Sequence, residues 1–393
     1  MECPRTIPKS FAKQFPVKRS TSTTVAMVGA FPPPVHGAAL VNLAIHDAIV
    51  SRDYLSPRVF NLAPPSLKRS LGARLLRAMS VPKSALGFVW LCFWDRPTSL
   101  YVGASGGLGQ LYEAAFVLCA RCFSVPVIIH HHSFVYIDRP SWHVGFFTWI
   151  AGDRALHVAL CPEMANGLSK TYRSAVSVLT LSNAIFVQTP SVEVPEKRAL
   201  RTIGFLGNIS EEKGIYEFIE IAKHLSVNSV QIVIAGPFQD SNIKTEVLAE
   251  IDSLSTVMYL GPKYGRDKED FLCQIDVLVF PSKYEHEAEP LTVLEALAHG
   301  VPIIATERGC IKRLVPGSVG KVIARYDDFA SVALDQINEW RRSPSEFAES
   351  ANAAKNHFSF LRDEAKQSLQ ELLDKLGHNA RNSHVKNGMK GRL

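Results

Sequence analysis

The stretch from Pro281 to Gly300 holds the chain's densest set of chemically useful side chains. An apolar run ends at Pro281, a polar loop carries Glu285, Glu287 and Glu289, and a helix is expected from Pro290, a favoured first helical position. The spacing Glu287-x7-Glu295 puts one carboxylate in the loop and the other in the second turn of that helix, so both can approach one ligand. A carboxylate facing a cleft accepts two hydrogen bonds from vicinal hydroxyls, such as those of a ribose. The same residues also describe an acidic, solvated loop followed by a surface glutamate.

A second constellation runs from Gly204 to Gly214, Gly-Phe-Leu-Gly-Asn-Ile-Ser-Glu-Glu-Lys-Gly. An apolar strand enters a glycine-bearing loop, and Lys213 stands at the mouth of the following helix. Helix amides beside a lysine suit phosphate oxygens; a plain strand-to-helix turn with a solvated lysine has the same spelling. In a third, Val28–Ala39, three prolines force an extended loop and Gly37 permits close backbone approach just before a helix.

These motifs need elements to hold them, and both halves of the chain alternate short apolar runs with helix-period segments. Strands are expected at Thr24–Gly29, Ser99–Val102, Pro126–His130, Thr202–Leu206, Gln231–Ala235, Val257–Leu260, Asp276–Phe280 and Pro302–Ala305. After Leu206, a helix places Ile215, Phe218, Ile219, Ala222 and Leu225 on one face. Repeated strand–helix–strand units with continuous apolar strands predict an α/β protein with parallel sheets covered on both faces. The expected layout is a basic tail over 1–23, one Rossmann-like domain over 24–189, a second over 190–358, a C-terminal helix over 359–376 and a flexible basic tail over 377–393. Open parallel sheets bind ligands beyond the carboxyl ends of their strands, so two such domains present two rims to one cleft.

The chain has 393 residues, 47% of them apolar and 20% charged, which excludes disorder or coiled coil as the main architecture. No apolar run reaches the ~18 residues that span a bilayer. The first 24 residues are basic but lack an apolar core, so no signal peptide is expected. Seven scattered cysteines predict reduced thiols and a cytoplasmic protein. Charge is uneven. Residues 1–190 carry 18 Lys+Arg against 8 Asp+Glu, or +10; the rest carry 25 against 29, or −4, which together give +6. Tyr54–Trp94 has no acid at all, and in Ser66–Met79 the residues Leu67, Leu71, Leu75 and Met79 recur beside Lys68, Arg69, Arg74 and Arg77. That pattern fits an amphipathic helix on the inner face of the cell membrane, or a packed helix with a solvated side. Few aromatics interleave with the basic residues, so nucleic acid is not expected as a partner.

In this order, the three motifs resemble the retaining glycosyltransferases of family 4, which have the GT-B fold: two Rossmann-like, doubly wound domains facing a central cleft. The resemblance runs from about Thr24 to about Lys375 and includes "FLGNISEEKG", "IVIAG", "YLGPK", "DVLVFPS" and "LEALAHGVPIIAT". It implies a nucleotide-diphosphate sugar as donor, with Glu295 on the ribose hydroxyls, Glu287 near the donor sugar, Lys213 on the diphosphate, and Gly37 against it from the first domain. Asn208 would also lie at the donor, where the family usually has arginine. The resemblance also asks for a histidine near the donor sugar, from Ile129-His-His-His-Ser133; His132 matches best, with His130 and His131 as alternatives. Successive strand residues point to opposite faces, so the three do not easily grip one ion, and no metal or other cofactor is expected. With the membrane helix, the implied acceptor is a lipid-linked saccharide in surface polysaccharide assembly.

Two other functions fit parts of the chain. Tyr101-Val-Gly-Ala-Ser-Gly-Gly-Leu-Gly109 looks like the dinucleotide loop of NAD(P)-dependent short-chain dehydrogenases. Against it, no acid lies between Glu113 and Asp138 to hold a ribose, Tyr259-Leu-Gly-Pro-Lys263 contains Gly-Pro, and Tyr264 to Lys268 has the catalytic spacing but starts at a turn with Gly265 next in line. The other is a GT-B binding protein that has lost its chemistry, a reading that Asn208 favours.

Overall fold

A computed structural model describes residues 22–63, 71–191, 194, 196–225 and 230–390, with side chains placed except over 71–80 and 378–390. The first half runs β1 (Thr23–Gly29), α1 (Gly37–Val50), β2 (Leu55–Asn61), α2 (Leu71–Trp94), β3 (Ser99–Ala104), α3 (Gln110–Cys122), β4 (Val127–His131), α4 (Val135–Asp138), α5 (Trp142–Ala151), β5 (Leu156–Ala159), α6 (Pro162–Thr171) and β6 (Ser177–Thr180). The strands form one sheet in the order β2-β1-β3-β4-β5-β6, parallel at every pairing.

The second half continues with β7 (Thr202–Leu206), α7 (Ile215–Leu225), β8 (Gln231–Ala235), α8 (Ser241–Asp252), β9 (Val257–Tyr259), α9 (Gly265–Gln274), β10 (Val277–Phe280), α10 (Leu291–Ala298), β11 (Ile303–Thr306), α11 (Ile311–Leu314), β12 (Gly320–Ile323), α12 (Phe329–Arg342) and α13 (Pro344–Lys390). Its sheet is again parallel, in the order β12-β11-β10-β7-β8-β9.

Both faces of each sheet are covered, which is why the central strands read as unbroken apolar runs. In β1, Val25 and Met27 face Ile45 and Ile49 of α1, while Ala26 and Val28 face the other way, towards Phe88 of α2, Phe116 of α3 and Phe147 of α5. The α7 residues expected on one face are all buried against the second sheet. β2 carries Pro57 and escaped the sequence reading; it pairs only with β1 at the sheet edge, where a residue without an amide hydrogen is tolerated.

The C-terminal helix differs from expectation. Instead of a helix over 359–376 and a flexible tail from 377, helical backbone runs unbroken from Pro344 to Lys390. Pro344 occupies its first position, and no later proline interrupts it. This helix serves both halves. Ala354, Phe358 and Leu361 pack into the second sheet's core, whereas Ala365, Leu372, Leu373 and Leu376 pack against β1 and α1. The carbonyl of Leu376 accepts hydrogen bonds from Thr98 and Ser99 hydroxyls at 3.2 and 3.0 Å.

The expectation of seven reduced thiols is also corrected. Cys161, just before α6, and Cys310, just before α11, form a disulfide with Cα atoms 6.0 Å apart. Their 149-residue separation hid the pairing, because the bridge joins the two halves rather than neighbours in sequence. Residues 1–21 of the basic tail and 66–70 of the amphipathic segment lie outside the described residues; 71–79 fall in α2, where the side chains are not described.

Candidate active site

The loops after β7 and β10 meet. Ser210 caps the turn Glu211–Lys213, its hydroxyl accepting the Lys213 N–H at 3.2 Å. Gly214 then takes a left-handed φ of +78°, and a Cβ there would run into the Pro281 carbonyl. Gly214→Ala is therefore expected to lower stability by about 2 kcal/mol or more in denaturant titration, since strain and overcrowding add.

This turn delivers the Lys213 ammonium to 2.5 Å from Glu287 Oε2, over the Tyr284 ring at 4.8 Å and near Phe280 at 5.7 Å. The Ser282 hydroxyl donates to the same carboxylate oxygen at 3.0 Å. Glu287 is buried and Lys213 half-buried. Glu295 lies on α10 as expected, but Pro290 stands as the cap before that helix rather than as its first residue. The Glu295 carboxylate pairs at 2.5 Å with Lys268 of α9, a cation the sequence offered only through its spacing from Tyr264. Glu287 and Glu295 thus sit in two separate ion pairs. Asn208 is exposed directly after Gly207.

In the first half, His36 caps α1, its Nδ1 accepting the Ala39 N–H at 3.4 Å, and burial lowers its pKa. Gly37 borders open space: a Cβ there meets nothing within 4 Å, so no protein neighbour demands glycine. The histidines at the end of β4 split by face. His131 contacts Tyr136 Oη and His157 Nδ1, each at 2.9 Å. His130 and His132 turn towards α1, with rings 4.3 Å apart.

Asn42 of α1 organises that side. Its amide donates to the Ala30 carbonyl at 3.0 Å, so its Oδ1 can only accept, from Tyr101 Oη and from His132 Nε2, each at 3.1 Å. The tyrosine oxygen then accepts a hydrogen bond from His130 Nδ1–H at 2.8 Å. His132 consequently keeps Nδ1 as an acceptor. Burial, then the neighbouring His36, pushes its pKa down to about 3, so the ring is neutral at pH 7.

The loop after β10 also links the halves. Glu285 pairs with Arg139 at 2.9 Å, and His286 Nδ1 lies 3.0 Å from Ser133 Oγ, the residue following His132. Glu289 accepts from the Ser182 hydroxyl at 2.8 Å and from the Asn183 N–H at 2.5 Å; burial drives its pKa up to about 7 despite those bonds. Asp138 pairs with Arg325 at 2.6 Å. Sequence reasoning gave no site role to Asn42, Tyr101, Ser133 or His286, although the last three stand inside quoted motifs; Asn42 alone carried no signal.

The glycine loop after β3 is filled by its own helix. Both Glu113 carboxylate oxygens lie 3.1 Å from the Ser105 N–H, and Gln110 Nε2 donates to the Ser105 carbonyl at 2.8 Å. A dinucleotide phosphate would have to displace a carboxylate that is buried there, which counts against the dehydrogenase alternative.

Residues 200–339 match the sequence profile of the family described as Glycosyl transferases group 1. A GDP-mannose-dependent alpha-mannosyltransferase of Mycobacterium tuberculosis (strain CDC 1551 / Oshkosh) is 30% identical over 114 residues, covering 29% of this chain and 27% of that protein. The chain thus aligns with about a quarter of that relative's length. Among solved structures, Anabaena Alr3699/HepE in complex with UDP and glucose superposes with a TM-score of 0.61 at 15% identity, covering 89% of this chain and 100% of that one. Sucrose-phosphate synthase from Thermosynechococcus elongatus gives 0.65 at 13% identity, covering 93% and 100%. Two parallel, doubly covered sheets and these superpositions give the chain the GT-B fold, and its second half carries the group 1 glycosyl transferase match.

Proposed function

We propose that this protein is a retaining glycosyltransferase of family 4 that moves a hexosyl group from a nucleotide-diphosphate sugar to a saccharide. The observation that carries this reading is the meeting of Lys213, Glu287 and Tyr284 from two strand-end loops, inside the segment matched to the group 1 profile. Breaking a glycosyl–phosphate bond puts negative charge on the departing diphosphate and positive charge on the sugar ring. Lys213 and the amides of its turn meet the first charge, acting in place of a divalent ion. The Glu287 carboxylate, held by Ser282, meets the second. Diphosphate oxygens compete with Glu287 for the Lys213 ammonium, which frees the carboxylate as the donor enters.

In this reading Glu295 holds the ribose hydroxyls with its position set by Lys268, and Asn208 and Gly37 lie against the diphosphate. Neutral His132 offers Nδ1 to a hydroxyl of the donor sugar, held in place by Asn42. Attack comes from the face the diphosphate leaves, and domain closure limits hydrolysis. The acceptor is a lipid-linked saccharide in surface polysaccharide biosynthesis, met by peripheral contact with the inner face of the cytoplasmic membrane, for which 66–79 is the basic segment the sequence offers. No helix among the described residues is long and apolar enough to cross that membrane.

Thermal shift across UDP-, GDP- and ADP-linked sugars tests the reading. At least one should raise the melting temperature, and NAD(P) should not. Glu295→Ala should abolish the shift, whereas an unchanged shift in that variant would remove Glu295 from the donor site.

A further inference from the structure

The outer side of the first sheet's helical layer carries aromatic residues where solvent-facing helices normally carry charge. On α2, Leu86, Trp90, Phe93 and Trp94 follow the period of one helical face and are all exposed, opposite the buried Val81, Phe88 and Leu91. On α5, Trp142, Phe146 and Trp149 do the same, opposite Val144, Phe147 and Ile150. The two rows flank α3, to which both helices pack through the same core, and Arg121 at the end of α3 donates to the Ile150 carbonyl at 2.7 Å. Four of the chain's five tryptophans stand on this surface; the fifth, Trp340, is buried in the other half.

Charge complements the aromatics. The described side chains of these three helices include the exposed cations Lys83 and Arg121 and a single acid, Glu113, which is buried. A second copy of the same face would bring like charges together, so self-association is disfavoured. Tryptophan and phenylalanine with a basic fringe match the headgroup region of an anionic bilayer, and exposed Asp153 just beyond α5 is followed by exposed Arg154.

We propose that the outer face of α2, α3 and α5 docks on an anionic lipid surface, with Trp90, Trp94, Trp142 and Trp149 entering the headgroup layer. The α5 row ends at Trp142, three residues from Arg139, whose guanidinium pairs with Glu285 of the acidic loop. The aromatic row of α5 thus ends on the same short segment that pairs with the acidic loop. The contact lies on the later turns of α2, after 66–79, and on α5, and it rests on the transfer reading only for its choice of a membrane-borne acceptor. Vesicle binding needs no donor, so the two can fail separately.

The test is flotation with vesicles of phosphatidylcholine and phosphatidylglycerol against phosphatidylcholine alone, read together with tryptophan emission. Expected are binding to the anionic vesicles, emission at shorter wavelength, and quenching by brominated lipid. Trp142→Ser with Trp149→Ser should weaken partitioning by about tenfold or more. Lys83→Glu, an exposed single change, should weaken it in low salt and leave the fold intact. Failure to float, unchanged emission, or equal partitioning of both variants would overturn the proposal. So would concentration-dependent dimerisation in ultracentrifugation that shields the same tryptophans.

Discussion

Lys213→Met is expected to slow glycosyl transfer by about 10²–10³-fold, a loss of about 3–4 kcal/mol of transition-state stabilisation. Methionine keeps an apolar stem over Tyr284 and Phe280 but removes the charge that would meet the departing diphosphate. Steady-state kinetics with the donor found by thermal shift should show the fall mainly in kcat. Circular dichroism should show an intact fold. A second variant, Lys213→Met with Glu287→Gln, guards against the trivial explanation that a bare buried carboxylate has distorted the loop. Because Glu287 itself serves the sugar, that double variant is read by donor binding: if the donor raised its melting temperature as much as in the wild type, Lys213 would be a structural partner of Glu287 and nothing more.

Acid should unfold this protein steeply. His130, His131 and His157 are buried with pKa values forced down, His157 to about 4, as is His132 to about 3. In the unfolded chain each titrates near 6.5, so below that pH the unfolded state binds protons the folded state refuses, and stability falls as pH drops. Between pH 7 and 5.5 all four act in the same direction, so the melting temperature should fall steeply across that interval. Glu289 works the other way. Its folded pKa of about 7 exceeds its unfolded value, so its contribution is fully present below about pH 4.5 and is lost as pH rises through about 7. Over the same interval it offsets part of the loss, one carboxyl against four imidazoles, so the net effect of acid remains destabilising. Melting temperature followed from pH 8 to 5 checks this. A flat profile would mean that the β4 histidines take up protons without leaving their hydrogen bonds.

The strands of the second half were legible almost residue by residue, because each is buried on both faces and spelled in apolar residues between turn signals. Thr202–Leu206 and Gln231–Ala235 are the plainest cases. Edge strands were harder to see: β2 contains a proline and half-exposed positions, and β12 is short with Lys321 exposed. Lys213 and Glu287 were selected from separate motifs, and their contact appears only when the ends of β7 and β10 are laid side by side. Asn42 gave no local signal, since an asparagine inside a helix looks like any solvated polar residue until Tyr101 and His132 converge on it. Partners such as Glu289 with Asn183, or Cys161 with Cys310, lie more than 100 residues apart, and no periodicity encodes such distances.

The Cys161–Cys310 bond changes the mechanics of the molecule. The polypeptide already crosses between the lobes at the segment before β7 and again along α13, so the disulfide is a third tie. Two ties leave a hinge free to swing; a third, anchored beside α6 and α11, narrows that swing to rotations that spare all three anchors. Reduced and oxidised forms should therefore differ in how far the two lobes can part.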